Sequence, residues 1–191
     1  MKKKLYPYIT PANYEKLTPV YRIPHVAAYY SDVESVRELG VNAGLRVQEF
    51  LANVGLGKGF AWCGAFVYSV CLEAGVPSSC LPVARKAASV AEWVKWARKQ
   101  GILKMDGGLY PTPKRGSLCG WLNRNGTGHI FLVTSVTEEY GPHRVYLHTI
   151  EGNTNKKGSR DGDGVYRNRR GWPNEGDREL FWIDMTKLKL S

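Results

Sequence analysis

Two consecutive segments in the second half of the chain have the composition of β-strands, and they constrain the fold most. The first, His129–Val136, is rich in β-branched and aromatic side chains, which favour extended structure. The second, Arg144–Glu151, alternates along its length, and Gly141–Pro142 between the two segments is typical of a turn. We therefore expect the two segments to pair as neighbouring antiparallel strands.

The first half of the chain shows helical patterns instead. Its apolar residues recur at spacings of three and four, as in a helix that buries one face. Because helices come first and a mostly antiparallel sheet follows, the sequence predicts an α+β fold. We expect a first helix to begin at Ser31 or Asp32, and three further helices at residues 47–54, 63–73 and 84–99. Shorter strands are expected at residues 117–121, 164–169 and 180–184.

The length of 191 residues is enough for one domain with a sizeable core. Residues 1–30 contain four prolines among tyrosines and lysines, which predicts an irregular N-terminal arm. We expect residues 31–191 to form a single domain and the protein to be a monomer.

The formal net charge is +10, from 27 Lys and Arg against 17 Asp and Glu. Such a charge favours anionic partners, and nucleic acid, anionic membranes and anionic bacterial wall polymers all qualify. A basic cluster could attract such a polymer or could simply be a solvated face. The chain shows no common nucleic-acid recognition motif and no apolar run long enough for a membrane span. The members of the basic cluster are Lys156, Lys157, Arg160, Arg167, Arg169 and Arg170.

Cys63 lies where an apolar helix is expected to begin. A helix N-terminus carries a partial positive charge, which favours a thiolate, and its N–H groups can stabilise an oxyanion. Trp62 would supply a bulky wall, and Gly64 and Ala65 would leave the other side open. The alternative is a small buried side chain in a helix. The other cysteines, Cys71, Cys80 and Cys119, match no zinc-site spacing and are expected to be packed thiols.

His129 opens the first strong strand, and Glu151 closes the next one. If the strands pair, Glu151 lies near His129, where a carboxylate would fix the imidazole tautomer and stabilise imidazolium. Asn153 could support that role or bind substrate. The alternatives are a surface histidine and an ordinary polar turn.

Three ordered segments, Trp62–Val67, Gly128–Val133 and Thr149–Thr154, resemble the CHAP family of cysteine, histidine-dependent amidohydrolases and peptidases. The similarity extends over roughly residues 40 to 185, on the scale of one domain. One departure is Gly116–Ser117, where family members often have Gly-Asp. The resemblance implies a papain-like fold of the NlpC/P60 superfamily, with N-terminal helices packed on the sheet.

The resemblance also implies an activity and a substrate. The protein would cleave an amide bond in the peptide part of bacterial peptidoglycan, as an N-acetylmuramoyl-L-alanine amidase or an endopeptidase. Cys63 would attack the carbonyl, His129 would move the proton, and Glu151 would orient His129, without a metal or other cofactor. Two alternatives stay open. The protein could cleave an amide bond in a substrate other than the wall, or it could be an inactive basic module that binds wall or nucleic acid.

Four further residues are expected to contact a substrate, although aromatic side chains more often belong to a core. The N-terminal sequence after Lys2–Lys4 lacks the apolar run of an export signal. We therefore expect the protein to be made in the cytoplasm and to act in the periplasm or wall after delivery, or to be secreted. A phage lysin would fit this, and so would an antibacterial effector with a delivery or immunity protein as its partner. The four candidate substrate-binding residues are Trp62, Trp121, Asn155 and Tyr166.

Overall fold

The structure is a computed structural model that describes residues 6–105, 112–139, 144–173 and 178–190. Helices dominate the first half of the chain and strands the second, so the predicted α+β class is confirmed. The predicted turn at Gly141–Pro142 lies outside the described residues. The helices are α1 (Pro11–Lys16), α2 (Pro19–Ala28), α3 (Leu45–Asn53), α4 (Cys63–Glu73) and α5 (Val90–Lys99). The strands are β1 (Leu103–Met105), β2 (Leu118–Leu122), β3 (Gly128–Glu139), β4 (Arg144–Thr154), β5 (Gly164–Trp172) and β6 (Glu179–Ile183).

The six strands of the described part form one sheet in the order β1-β6-β2-β3-β4-β5, and every neighbouring pair is antiparallel. The predicted pairing of β3 with β4 is confirmed. Alternate residues of a strand point to opposite faces. One face packs against the helices through Ile130, Leu132 and Ile150, while the other carries a second apolar cluster that includes Trp121 and Phe131.

Strands β3 and β4 separate at one end of the sheet. Pairing between β3 and β4 runs from Glu139 and Arg144 to Leu132 and Ile150. Beyond that point the described residues of β3 pair with β2, and those of β4 pair with β5. The strands thus leave an opening whose two sides hold His129 and Glu151.

Helix α4 begins against this opening. A Cβ on Gly152 of β4 would stand 2.6 Å from the Cβ of Phe66 and 2.7 Å from the Trp62 ring. Contacts that close leave no room for a side chain, so glycine at this position lets α4 approach the sheet. The approach sets the position of Cys63, the first residue of the helix.

The sequence predicts an irregular arm at residues 1–30, but its described part, residues 6–30, is mostly helical, which corrects that expectation. Pro11 and Pro19 each occupy the first turn of a helix, where a missing N–H has no cost and the fixed φ angle helps the helix to start. Ile23 and Val26 of α2 are fully buried in the main core. The described part of this segment is therefore integral to the domain.

The helix predicted from Ser31 or Asp32 is also wrong. A short π-helical turn spans Tyr29–Val33, and the following segment runs beside β5 instead. Val36 O accepts a hydrogen bond from Val165 N, and Glu38 N donates one to Asp163 O. Backbone pairing with the sheet outweighs the helical spacing of the apolar residues.

The other helix predictions hold with adjusted limits. Helices α3 and α4 bury the expected residues. The helix predicted for 84–99 is divided into a 3₁₀ turn at Ala84–Lys86 and α5, because the intervening backbone turns to accept a hydrogen bond from Trp93 Nε1 at Ala87 O. No helix within the described ranges is long and apolar enough to cross a bilayer.

Candidate active site

Cys63 is the first residue of α4, and its side chain reaches the backbone of β3. It is only 4% exposed. Burial alone would raise the pKa of the thiol. Hydrogen bonding and charge attraction from His129, helped by the backbone at Ile130 and Gly64, outweigh burial and bring the pKa below its ordinary value. The site therefore favours the thiolate form of Cys63.

His129 is fully buried on β3, with its ring 5.1 Å from the Trp121 ring and 6.0 Å from that of Phe131. Its Nε2 lies 2.9 Å from Glu151 Oε2. Its Nδ1 is buried and, among the described atoms, makes no hydrogen bond of regular geometry. Because Glu151 occupies Nε2, Nδ1 is the nitrogen left to exchange a proton with Cys63.

The charge state of His129 follows from these neighbours. Burial opposes imidazolium, but the Cys63 and Glu151 side chains favour it more strongly, and they raise the pKa of His129 to about 9. The opposite shifts of the Cys63 and His129 pKa values both favour the thiolate–imidazolium form of the pair. The two groups titrate as a coupled pair.

Glu151 is fully buried and forms the hydrogen bonds that fix its carboxylate. It accepts from His129, from Thr149 Oγ1 and from two nitrogens of the Arg170 guanidinium. Burial raises the carboxyl pKa, but His129 and Arg170 outweigh it and lower the pKa of Glu151 to about 2. The carboxylate therefore stays ionised and orients the imidazole.

Asn153 is buried two residues beyond Glu151. Its Nδ2 donates to Arg160 O at 3.4 Å, which ties β4 to the following loop. Its side chain also lines a cavity of about 420 Å³ together with Glu38 and Asp163. The expected contribution of Asn153 to catalysis or substrate binding stays a prediction.

The two tryptophans expected at a substrate groove lie in the cores. Trp62 is fully buried, stacks on Phe50 and donates from Nε1 to Glu38 Oε1 at 2.7 Å. Trp121 is 4% exposed and covers the His129 ring. In this conformation both indoles shape the site from inside and present little surface to a substrate.

The other two expected substrate contacts have structural partners. Asn155 Oδ1 accepts hydrogen bonds from the backbone of Lys157 and Ser159 and so shapes the loop after β4. The Tyr166 ring lies 3.9 Å from the Arg37 guanidinium carbon, and its hydroxyl donates to Asp163. Their role toward a substrate stays a prediction.

The expected open side next to Cys63 is closed. A Cβ on Gly64 would lie 2.4 Å from the carbonyl oxygen of Ala87, so the segment before α5 lies directly on the start of α4. The loop just before Cys63 instead exposes Phe60 at 53% and hydrogen bonds through Gly59 to Asn42. Neighbouring Val41 is 84% exposed. These exposed apolar side chains are candidate peptide contacts that the sequence patterns did not indicate.

The sequence patterns also missed Thr149 and Arg170 as partners of Glu151. Thr149 shares a strand face with Glu151, two residues away, which is a usable signal. Arg170 appeared only as one member of a basic cluster. In the pairing of β4 with β5, Arg170 lies opposite Leu147, whereas Glu151 lies opposite Tyr166. The contact between Arg170 and Glu151 therefore depends on a long arginine side chain that reaches along the sheet.

All four cysteines are buried. Within the described ranges, no group of three or more His, Cys, Asp or Glu side chains could hold a metal ion. Comparison of the chain with models of known protein families, with curated proteins and with solved structures finds no match.

Proposed function

We propose that the protein is a cysteine-dependent peptidoglycan hydrolase with a papain-like fold of the NlpC/P60 type. The observation that supports this most is the buried arrangement of Cys63, His129 and Glu151, in which thiolate and imidazolium favour each other. A nucleophile at a helix N-terminus, a base on a strand and an orienting carboxylate are the components of acyl transfer by a triad.

The first half of the reaction forms a thioester. The Cys63 thiolate attacks the amide carbonyl carbon, a C–S bond forms, and the carbonyl electron pair moves onto oxygen. The backbone N–H groups at the start of α4 stabilise that oxyanion. His129 then gives the Nδ1 proton to the amide nitrogen as the C–N bond breaks and the amine leaves.

The second half releases the acyl group. Water attacks the thioester carbonyl while His129 Nδ1 accepts one of its protons. The C–S bond breaks, the carboxylic acid product leaves, and Cys63 returns as thiolate beside imidazolium. Glu151 remains ionised throughout and holds the ring in place through Nε2.

The motif similarity supports the peptide of bacterial peptidoglycan as the substrate, in the stem or the cross-bridge. The net charge of +10 supports it as well, since the wall carries anionic polymers. In this proposal the protein works as a phage lysin or as an antibacterial effector. It acts in the periplasm or wall after delivery, and an immunity protein could be a partner.

Purified sacculi test the proposal. The wild-type protein should release peptide fragments, and Cys63→Ala should release none. Cys71→Ala is the matched control because Cys71 is buried on the same helix, and it should retain activity once folding has been verified. Mass spectrometry of the products identifies the bond that is cut. Wall binding with no product from the wild-type protein would refute hydrolysis of this substrate.

A basic cavity favours a second candidate, a module that binds an anionic polymer without cleaving it. The cavity has a volume of about 480 Å³ and includes Lys156, Lys157 and Arg169 in its lining. Such a module should bind poly(glycerol phosphate) or single-stranded DNA with an affinity that falls steeply with salt. Replacing Lys156 and Lys157 by alanine should weaken that binding, while Cys63→Ala should leave it unchanged.

A further inference from the structure

We propose that Arg170 is a positioning residue, which keeps Glu151 ionised and oriented so that Cys63, His129, Glu151 and Arg170 operate as one buried relay. This inference rests on the proposed cysteine chemistry of the site. It adds a fourth member that the motif similarity does not include.

The contacts of Arg170 are those of a residue held in place from several sides. Its Nε donates to Glu151 Oε1 at 2.6 Å, and its Nη2 donates to Glu151 Oε2. Such two-point pairing fixes the plane of the carboxylate as well as its position. The same Nη2 also donates to Gly158 O at 3.1 Å.

Aromatic rings and the loop after β4 enclose the guanidinium. Its central carbon lies 5.0 Å from the Trp121 ring centre and 5.1 Å from that of Phe131. These are the rings that flank His129. Gly158 lies against the guanidinium, and a Cβ there would be 3.3 Å from Nη1. The Arg170 side chain is 16% exposed, whereas Glu151 and His129 are fully buried.

Charge balance gives Arg170 its function. Without it, the buried set would carry one net negative charge whether the proton is on Cys63 or on His129. A buried uncompensated charge is costly, and the usual response is uptake of a proton by the carboxylate. With Arg170 the set is neutral in both proton states. The proton can then move between Cys63 and His129 without changing the net charge of the core.

Substitutions at Arg170 separate charge from packing. Arg170→Met keeps an apolar stem against the two rings but removes the charge, and Arg170→Lys keeps a charge but cannot pair at two points. The control is Arg46→Met, because Arg46 on α3 is likewise paired with carboxylates, those of Glu34 and Glu49, and lines neither the candidate site nor the basic cavity. We expect Arg170→Met to lower kcat/KM by about 10- to 100-fold, which is the range seen when a residue that orients a metal ligand is removed from a metal site. The control should change it less than about twofold.

The pH dependence of kcat/KM is the measurement that tests this proposal most directly. Arg170 favours the ionised forms of Glu151 and, through the same site, of Cys63. Its loss should therefore move the acid limb of kcat/KM, which Cys63 ionisation sets, to higher pH in Arg170→Met, and Arg170→Lys should largely restore it. In a Glu151→Gln background, Arg170→Met should cause little further loss, because the two residues act through one contact. An unmoved acid limb in Arg170→Met, or full additivity with Glu151→Gln, would overturn the proposal.

A readout without substrate separates this inference from the proposed function. Thiolate formation can be followed by ultraviolet absorbance, as the difference between each protein and its Cys63→Ser counterpart. Ionisation below the ordinary thiol range in the wild type, shifted upward in Arg170→Met, supports the relay even if sacculi are not cleaved. If the wild type ionises only at the ordinary thiol pKa, the cysteine chemistry itself fails. If the wild type ionises early and Arg170→Met matches it, only the role of Arg170 fails.

Discussion

Cys63 and Cys71 lie eight residues apart on the same helix, both are buried, and their thiols are shifted in opposite directions. Burial raises the pKa of Cys71 to about 12. The same burial acts on Cys63, but His129 reverses it and the pKa falls below its ordinary value. The difference comes from His129, helped by the backbone at Ile130 and Gly64, since burial acts on both thiols.

Alkylation at neutral pH should therefore select Cys63. Iodoacetamide should label Cys63 more than about tenfold faster than Cys71, since each pKa unit changes the thiolate fraction tenfold. Peptide mass spectrometry after short exposures measures both rates. His129→Gln should slow the labelling of Cys63, and equal or faster labelling in that variant would contradict the assigned pairing.

The activity should show a bell-shaped dependence on pH. It should rise as Cys63 ionises at a pH below the ordinary range for thiols. It should fall as the pH passes about 9, where His129 loses the proton that it must give to the leaving amine. Measurement of kcat/KM from pH 4 to about 11 covers both limbs. A rate that keeps rising through about pH 9 would exclude His129 as the acid.

Folding stability should also depend on His129 at alkaline pH. Its pKa is raised in the folded state from 6.5 to about 9, so its stabilising contribution is complete below pH 6.5 and is lost as the pH rises through about 9. Glu151 acts in the opposite sense, because its pKa is lowered from 4.5 to about 2. Its contribution is present above pH 4.5 and is lost as the pH falls through about 2. The lowered pKa of Cys63 adds stability as the pH rises and opposes the His129 decline. Urea unfolding between pH 6 and about 10 is therefore compared in Cys63→Ser, where the decline should appear, and in Cys63→Ser with His129→Gln, where it should be smaller.

Gly152→Ala should damage both stability and the site. The added methyl would meet Phe66 at 2.6 Å, and an overpacked core position typically costs about 1 to 3 kcal/mol of unfolding free energy. Gly57→Ala is the control, because its Cβ would meet nothing within 4 Å and its φ is not left-handed. Chemical denaturation of both variants gives the comparison, and equal stabilities would refute the close approach of α4 to β4.

Ile23→Ala tests whether the N-terminal segment belongs to the core. Ile23 is fully buried, and removing a buried isoleucine side chain typically costs about 2 to 5 kcal/mol. Tyr21 lies on the same helix and is 55% exposed, so Tyr21→Ala should change the unfolding free energy much less. Thermal or urea unfolding measures both, and a negligible effect of Ile23→Ala would restore the description of this segment as a loose arm.

Local signals predicted helices α3 and α4 and the pairing of β3 with β4 because each depends on residues close in sequence. The spacing of Val47, Phe50 and Leu51 reflects burial on one face, and the strand composition around His129 reflects extended structure. Local spacing failed at Leu39, which is 79% exposed, because the backbone from Val36 to Glu38 pairs with residues more than a hundred positions later. Such long-range backbone pairing leaves no local pattern.

The sequence by itself determined the fold class, the start of α4 at Cys63 and the order of Cys63, His129 and Glu151, since these follow from local periodicity and motif spacing. Only the tertiary structure decided that β3 and β4 separate and that α4 begins against the opening between them. It alone brought Arg170 onto Glu151, because that contact depends on strand register and side-chain reach. The shift of Cys63 toward thiolate is likewise a tertiary property, since burial and His129 act in opposite directions and only their positions in space decide which prevails.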